Sequence, residues 1–214
     1  MEEKEINNQE VVSDKPRAKS KGMNLPNKLT VLRAIMVPIF VACMIYIPDP
    51  IVCGFVASIV FIITATTDVL DGRIARKYGL ITNFGKFMDP VADKFMVFAA
   101  LLTMCARIEA IRGILVWTTA IVFFRELAVT SLRMICAGIK DVGVVSASVF
   151  GKAKTLTQVI GIVAVLVEYA VIEGRVLNTM WILSYVSLIM IIIMTVGSGV
   201  DYLKSYGKHI NPEE

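Results

Sequence analysis

"DVLDGRIARKYGLITNFGKFMDPVADK", residues 68–94, sets four aspartates, Asp68, Asp71, Asp89 and Asp93, between two strongly apolar blocks. On a helix, residues three apart such as Asp68 and Asp71 lie about 60° from each other around the axis, and residues four apart such as Asp89 and Asp93 about 40°. Each pair therefore shares a face. A short loop joins the two helices, so their neighbouring ends can meet and bring four carboxylates to one depth. Ordinary helix-end charges explain one or two acids, such as Asp89 beside Pro90 at a helix start, where the dipole favours an anion. They explain four poorly, because like charges in a half-dry setting repel and resist ionising together. Two divalent cations would compensate them. All-oxygen ligation suits Mg2+ or Mn2+ better than zinc. Two ions held by acidic side chains are a recurring device of phosphoryl chemistry.

The residues between the acids suit an anionic substrate. Gly72 and Ala75 have almost no side chain and let a flat group approach the helix backbone. Close helix packing uses small residues in the same way. Arg76 is a fixed cation suited to bidentate phosphate contact. Thr82 offers a hydroxyl near the loop, and Gly85 is expected to let the chain turn tightly before the next helix.

Outward from this stretch, the chain is apolar. Its 214 residues are 56% hydrophobic, with a mean hydropathy of +0.70. Six blocks reach membrane length, near 29–48, 51–70, 87–106, 113–136, 154–173 and 179–200. The expected fold is an all-α integral membrane protein, a six-transmembrane-helix bundle in one compact unit with both termini cytoplasmic. Sidedness follows from the basic residues. With the N-terminus inside, only Arg107, Arg112 and Arg175 of the 22 Lys and Arg residues fall on the opposite side.

Residues 1–22 are polar, mixed in charge and end in "KPRAKSK", which reads as a disordered tail and not as a cleaved signal peptide. Met23 is a possible functional start. The membrane domain is expected over 23–205, with 206–214 a C-terminal tail. Cys43, Cys53, Cys105 and Cys136 are scattered through apolar blocks with no C-x-x-C pair, and His209 is the sole histidine, so a thiol-bound zinc site is not expected. The basic residues follow the ends of apolar blocks, and no nucleic-acid partner is expected.

Asp68, two residues, Asp71-Gly72, two residues, Ala75-Arg76, eight residues, Gly85, three residues, Asp89, three residues, Asp93: this pattern resembles the signature of the CDP-alcohol phosphatidyltransferase family, without departure at any fixed position. The six-span layout resembles the family too. The resemblance implies a multi-pass enzyme of the cell (inner or plasma) membrane, a homodimer whose active site faces the cytoplasm. Such an enzyme displaces CMP from a CDP-linked lipid with an alcohol. It implies that Asp68, Asp71, Asp89 and Asp93 hold the two metal ions, and that Asp93 also takes the proton of the acceptor hydroxyl. Gly72, Ala75, Arg76, Thr82 and Gly85 would meet the CDP-lipid. Asn27 and Thr30 would do the same, or merely cap the first helix.

The acceptor alcohol rests on softer signals. "NLPNKLTVLR" at 24–33, "FRELAVTSLR" at 124–133 and "GKAKTLTQ" at 151–158 resemble the branch that joins CDP-diacylglycerol to sn-glycerol 3-phosphate, giving phosphatidylglycerol phosphate and CMP. Arg125 lies well inside the fourth span, where a charge is costly and usually functional. It is either part of a binding site or one half of an ion pair with Glu126. Arg133 is two turns on, and Lys152 and Lys154 begin the fifth span on the same side. Arg125, Arg133 and Lys152 are the expected contacts of the acceptor's phosphate. Positive-inside topology alone would also explain Arg133, Lys152 and Lys154. Inositol phosphate, serine and phosphatidylglycerol are the alternative acceptors. A divalent-cation transporter, which would spread acids over several spans near the midplane, is the remote alternative.

Overall fold

The computed structural model describes residues 25–78, 83–138, 149–174 and 180–206, and these form six α-helices with no strand among them. They are α1 (Leu25–Tyr46), α2 (Pro50–Tyr78), α3 (Asn83–Arg107), α4 (Arg112–Gly138), α5 (Val149–Glu173) and α6 (Ile182–Tyr206). Five of them carry stretches long and apolar enough to cross a membrane: Leu29–Tyr46, Pro50–Thr67, Arg112–Ile135, Ala153–Glu173 and Ile182–Ser205. The third expected span, 87–106, falls in α3, which does not meet that standard. Asp89, Asp93 and Lys94 near one end and Arg107 at the other leave 95–106 as its longest uncharged run. α3 also begins earlier than the sequence suggests. Gly85, expected in a turn, stands in the first turn of the helix, and Asp89 with Pro90 in the second.

Around the bundle the packing order is α1, α2, α5, α6, α4, α3 and back to α1. Neighbours in sequence, α2 and α3, touch little; α1 lies between them in the ring. Side-chain contacts fix the helix directions. Cys53 of α2 meets Met44 of α1, Phe98 of α3 meets Phe123 of α4, and Glu168 of α5 meets Ser184 of α6. Each pair is antiparallel. The first described residues of α1 and the last of α6 therefore lie at one end, together with the C-terminus of α2 and the N-terminus of α3.

The opposite end is closed by capping groups. The last carbonyls of a helix have no partner within it, and a cation there also meets the negative end of the dipole. Arg107 fills this role for α1: Nη1 donates to the Met44 carbonyl at 3.2 Å, Nη2 to the Ile47 carbonyl at 2.7 Å, and Nε to the Tyr169 hydroxyl at 2.7 Å. Asp49 caps α2 by accepting from the Val52 amide at 2.8 Å, with Pro50 at the first helical position, where its missing N–H costs nothing. The buried carboxylate of Glu168 accepts the amides of Leu183 and Ser184 at 3.1 and 2.6 Å, giving α6 its cap. Arg107, counted from the sequence as a charge of the opposite side, is structural.

Close helix approach depends on glycine where α2 crosses α5. A Cβ on Gly54 would lie 2.6 Å from both the Leu166 carbonyl oxygen and the Ala170 Cβ, whereas one on Gly113 would meet nothing within 4 Å. Backbone cannot yield as a flexible side chain does, so overpacking there costs on the order of 1–3 kcal/mol. Gly54→Ala is expected to lower the melting temperature of the detergent-solubilised chain, and Gly113→Ala to leave it unchanged. Equal melting temperatures for the two variants would contradict this account of the crossing.

Candidate active site

The apolar stretch of α2 ends at Thr67, and Asp68 is the next residue. α2 has 29 residues, so at 1.5 Å per residue it is roughly 43 Å long, well beyond the ~30 Å of a hydrocarbon core. Asp68 and Asp71, followed by Gly72, Ala75 and Arg76, occupy its overhang before Tyr78. Asp89 and Asp93 stand on the second and third turns of α3, at the same end of the bundle. The side chains of these residues, and of Asn27, Gly85 and Lys152, fall outside the described residues, as does Thr82 altogether. Thr30 and Arg33 are both fully buried on α1, which packs against α2 and α3. Arg33 was not singled out by the sequence reading, although it closes the stretch 24–33.

Beside Asp93 in the chain, Lys94 opens a cavity of about 300 Å3 that three helices line. Each contributes a stripe at helical spacing. α3 gives Lys94 and Phe98; α4 gives Arg125, Glu126, Thr130 and Arg133; α5 gives Lys154 and Gln158. Lys94 is in the third turn of α3, Arg133 toward the end of α4 and Lys154 near the start of α5, so the cavity belongs to the aspartate end.

Its polar groups form a connected network. The Glu126 carboxylate accepts from Arg125 Nη1 at 2.8 Å and from Lys154 Nζ of the neighbouring helix. Arg125 Nη2 donates to Ser198 Oγ on α6 at 2.8 Å. Lys94 Nζ donates to Thr130 Oγ1. Arg133 Nη2 donates to the Tyr202 hydroxyl. Tyr202, 2% exposed, stands between the two arginines: the Arg125 and Arg133 guanidinium carbons lie 5.7 and 4.9 Å from its ring centroid. Stacking on a tyrosine face stabilises a guanidinium and limits its rotation. Gly199 leaves room for the stem of Arg125, since a Cβ there would come within 3.3 Å of its Cγ.

The sequence left Arg125 as either an ion-pair member or a site residue. It pairs with Glu126 and also lines the cavity. Glu126 in turn pairs with α5 as well as with its neighbour. The sequence reading named Lys152, and the described lysine of α5 on the cavity is Lys154. Lys94, Thr130, Gln158, Ser198 and Tyr202 were missed. Lys154 and Gln158, one turn apart in an otherwise apolar helix, were the available signal. Tyr202 had none, because its role depends on α6 lying beside α4. Among the described lining residues, four cations face one carboxylate. A half-dry cavity with that excess favours an anion.

Against the lipid side of the same wall runs an apolar groove between α4 and α6, lined by Trp117, Phe124, Val196 and Leu203 among others. Arg125 and Val129 border both the groove and the cavity.

The family model of the CDP-alcohol phosphatidyltransferases matches residues 23–197, most of the chain and every helix of the ring. This chain belongs to the CDP-alcohol phosphatidyltransferase family. A Bacillus subtilis (strain 168) protein named CDP-diacylglycerol–glycerol-3-phosphate 3-phosphatidyltransferase is 40% identical over 156 residues, covering 68% of this chain and 77% of the relative. A Haemophilus influenzae protein of the same name is 34% identical over 184 residues, covering 85% of this chain and 92% of the relative.

Removing Glu126 would leave Arg125 and Lys154 without their shared carboxylate, and breaking a buried pair from one side costs about 3–5 kcal/mol. Glu126→Ala is expected to lower thermal stability in detergent markedly, and Glu126→Met with Lys154→Met to recover much of the loss. A double variant no more stable than the single one would show that the pair does not hold α4 to α5.

Proposed function

We propose that this enzyme transfers a phosphatidyl group from CDP-diacylglycerol to sn-glycerol 3-phosphate, giving phosphatidylglycerol phosphate and CMP. The observation that carries the choice of acceptor is the cation-rich cavity opening next to Asp93 in the chain. An acceptor that bears its own phosphate needs such a pocket; serine does not, and phosphatidylglycerol would want an apolar groove. The relatives that share most of the chain carry the corresponding name.

In this reading the acceptor's phosphate rests among Arg125, Arg133 and Lys152, with Lys154 and Lys94 adding to the field. Tyr202 holds the two arginines in place. The acceptor hydroxyl points to Asp93, which takes its proton as the oxygen attacks the phosphorus that carries the diacylglycerol. The bond from that phosphorus to the bridging oxygen breaks, and CMP leaves with it. Asn27, Thr30, Gly72, Ala75, Arg76, Thr82 and Gly85 meet the CDP-lipid.

Asp68, Asp71, Asp89 and Asp93 would hold two Mg2+ or Mn2+ ions. Their donor chemistry fits: four carboxylates on two helices at one end of the bundle. When bound, such ions neutralise the diphosphate and the developing charge on the leaving oxygen.

α3 completes a six-span bundle, its charged first turns at the cytoplasmic surface and 95–106 within the membrane. Both ends of the chain and the site face the cytoplasm, at the inner or plasma membrane. The working unit is a homodimer, as the family resemblance implies. Phe124 and Met134 on α4, 76% and 72% exposed, offer apolar surface for lipid or for a second copy.

The purified enzyme is expected to release CMP from CDP-diacylglycerol only with a divalent cation and with sn-glycerol 3-phosphate as acceptor. Inositol phosphate, serine and phosphatidylglycerol are to be offered in parallel. Activity with unphosphorylated acceptors alone would overturn the reading. Asp93→Asn is expected to abolish turnover, and full activity in that variant would remove it as the base. Arg133→Ala removes a charge-assisted contact, so KM for the acceptor should rise about 10-fold or more while KM for CDP-diacylglycerol stays within roughly twofold.

A further inference from the structure

Gln158 lines the cavity and has no role in the proposed reaction. It is 3% exposed. Its amide nitrogen has no hydrogen-bond partner among the described residues. It lines the cavity from α5, one helical turn beyond Lys154 on the same face. The residues after it, from Val159 to Val167, carry no polar side chain, and a leucine or methionine would fill the position without any polar group. A buried donor without a partner costs about 1–3 kcal/mol. Each charged side chain described in this cavity has at least one partner, and of its uncharged polar side chains Gln158 is the one with an orphaned buried donor; Arg125 Nε is orphaned too, but its other nitrogens are bound.

We propose that Gln158 is a specificity-determining residue, whose amide donates to the hydroxyl of the acceptor that does not react. This rests on the reading of the cavity as the acceptor site. A three-carbon phosphate acceptor carries a phosphate, a reacting hydroxyl and one more hydroxyl between them. The cations take the first and Asp93 the second. Gln158 lies one turn further from the aspartate end than Lys154, on the side of the cavity across from α3. A carboxamide both donates and accepts, which matches a hydroxyl and mismatches a methylene. A site built to hydrogen-bond a substrate hydroxyl rejects the analogue that lacks it, because the analogue leaves the buried amide unpaired.

The test compares sn-glycerol 3-phosphate with 3-hydroxypropyl phosphate, which keeps the phosphate and a primary hydroxyl and lacks the middle one. Full-length enzyme in detergent or lipid is assayed for CMP release with each. Wild type is expected to favour the natural acceptor by about 10-fold or more in kcat/KM, a contact of ordinary hydrogen-bond strength. In Gln158→Met that preference is expected to fall to near 1. A wild type with no preference overturns the proposal without any variant. So does a Gln158→Met enzyme that loses activity but keeps the ratio, which is the signature of a purely structural role or of a water-satisfied amide. Gln158→Leu, read in the same way, covers a Met variant that fails to fold. Arg133→Ala separates the two levels of inference. If it raises KM for both phosphates while Gln158→Met leaves the ratio intact, only Gln158 is misassigned. If it raises neither, the acceptor site itself lies elsewhere.

Discussion

The Glu126 carboxylate, held between Arg125 of its own helix and Lys154 of α5, is the interaction on which the interior of this bundle depends. Charges inside apolar helices persist only when they answer one another. Because Glu126 takes two cations, Arg125 is fixed with Nη2 on Ser198 and its guanidinium near the Tyr202 ring. One carboxylate thus ties α4 to α5, and its arginine partner ties α4 to α6. These two ties frame the cavity at the aspartate end, while apolar packing closes the rest.

The two ends of the molecule use charge differently. At the far end Arg107, Asp49 and Glu168 meet backbone groups that helices leave unsatisfied. At the aspartate end, side chains mostly meet other side chains. Cations exceed carboxylates in the cavity, whereas the motif on α2 and α3 is rich in carboxylates. An acidic cluster and a basic pocket adjacent along α3 suit a reaction between two phosphorylated molecules, one neutralised by cations bound to acid, the other by Arg and Lys.

The sequence made the helix content legible because each block is long and apolar, and it made the motif legible because its spacing lies within one continuous stretch. Five blocks correspond to helices apolar enough to span. The third was blurred because Asp89, Asp93 and Lys94 interrupt its hydropathy, so its start was placed late and Gly85 was put in a turn. The cation-lined cavity was only half legible. Arg125 and Arg133 stood out as costly charges in an apolar helix. Tyr202, Ser198 and Gln158 are ordinary residues for their positions and acquire a role only when the order of helices around the ring is known. Arg107, read as a topological charge, is a cap for a helix 60 residues away in the chain.

Arg125 and Val129 border the polar cavity on one side and the apolar α4–α6 groove on the other. The partition between a hydrated chamber and acyl chains is there a single side chain thick. A guanidinium whose stem lies along apolar surface and whose head faces water is suited to such a dielectric boundary. Arg125 therefore has a containment duty separate from any contact with substrate: shortening it would join water and hydrocarbon across one residue's width, and lysine, with no planar head to lie on Tyr202, would seal it less well.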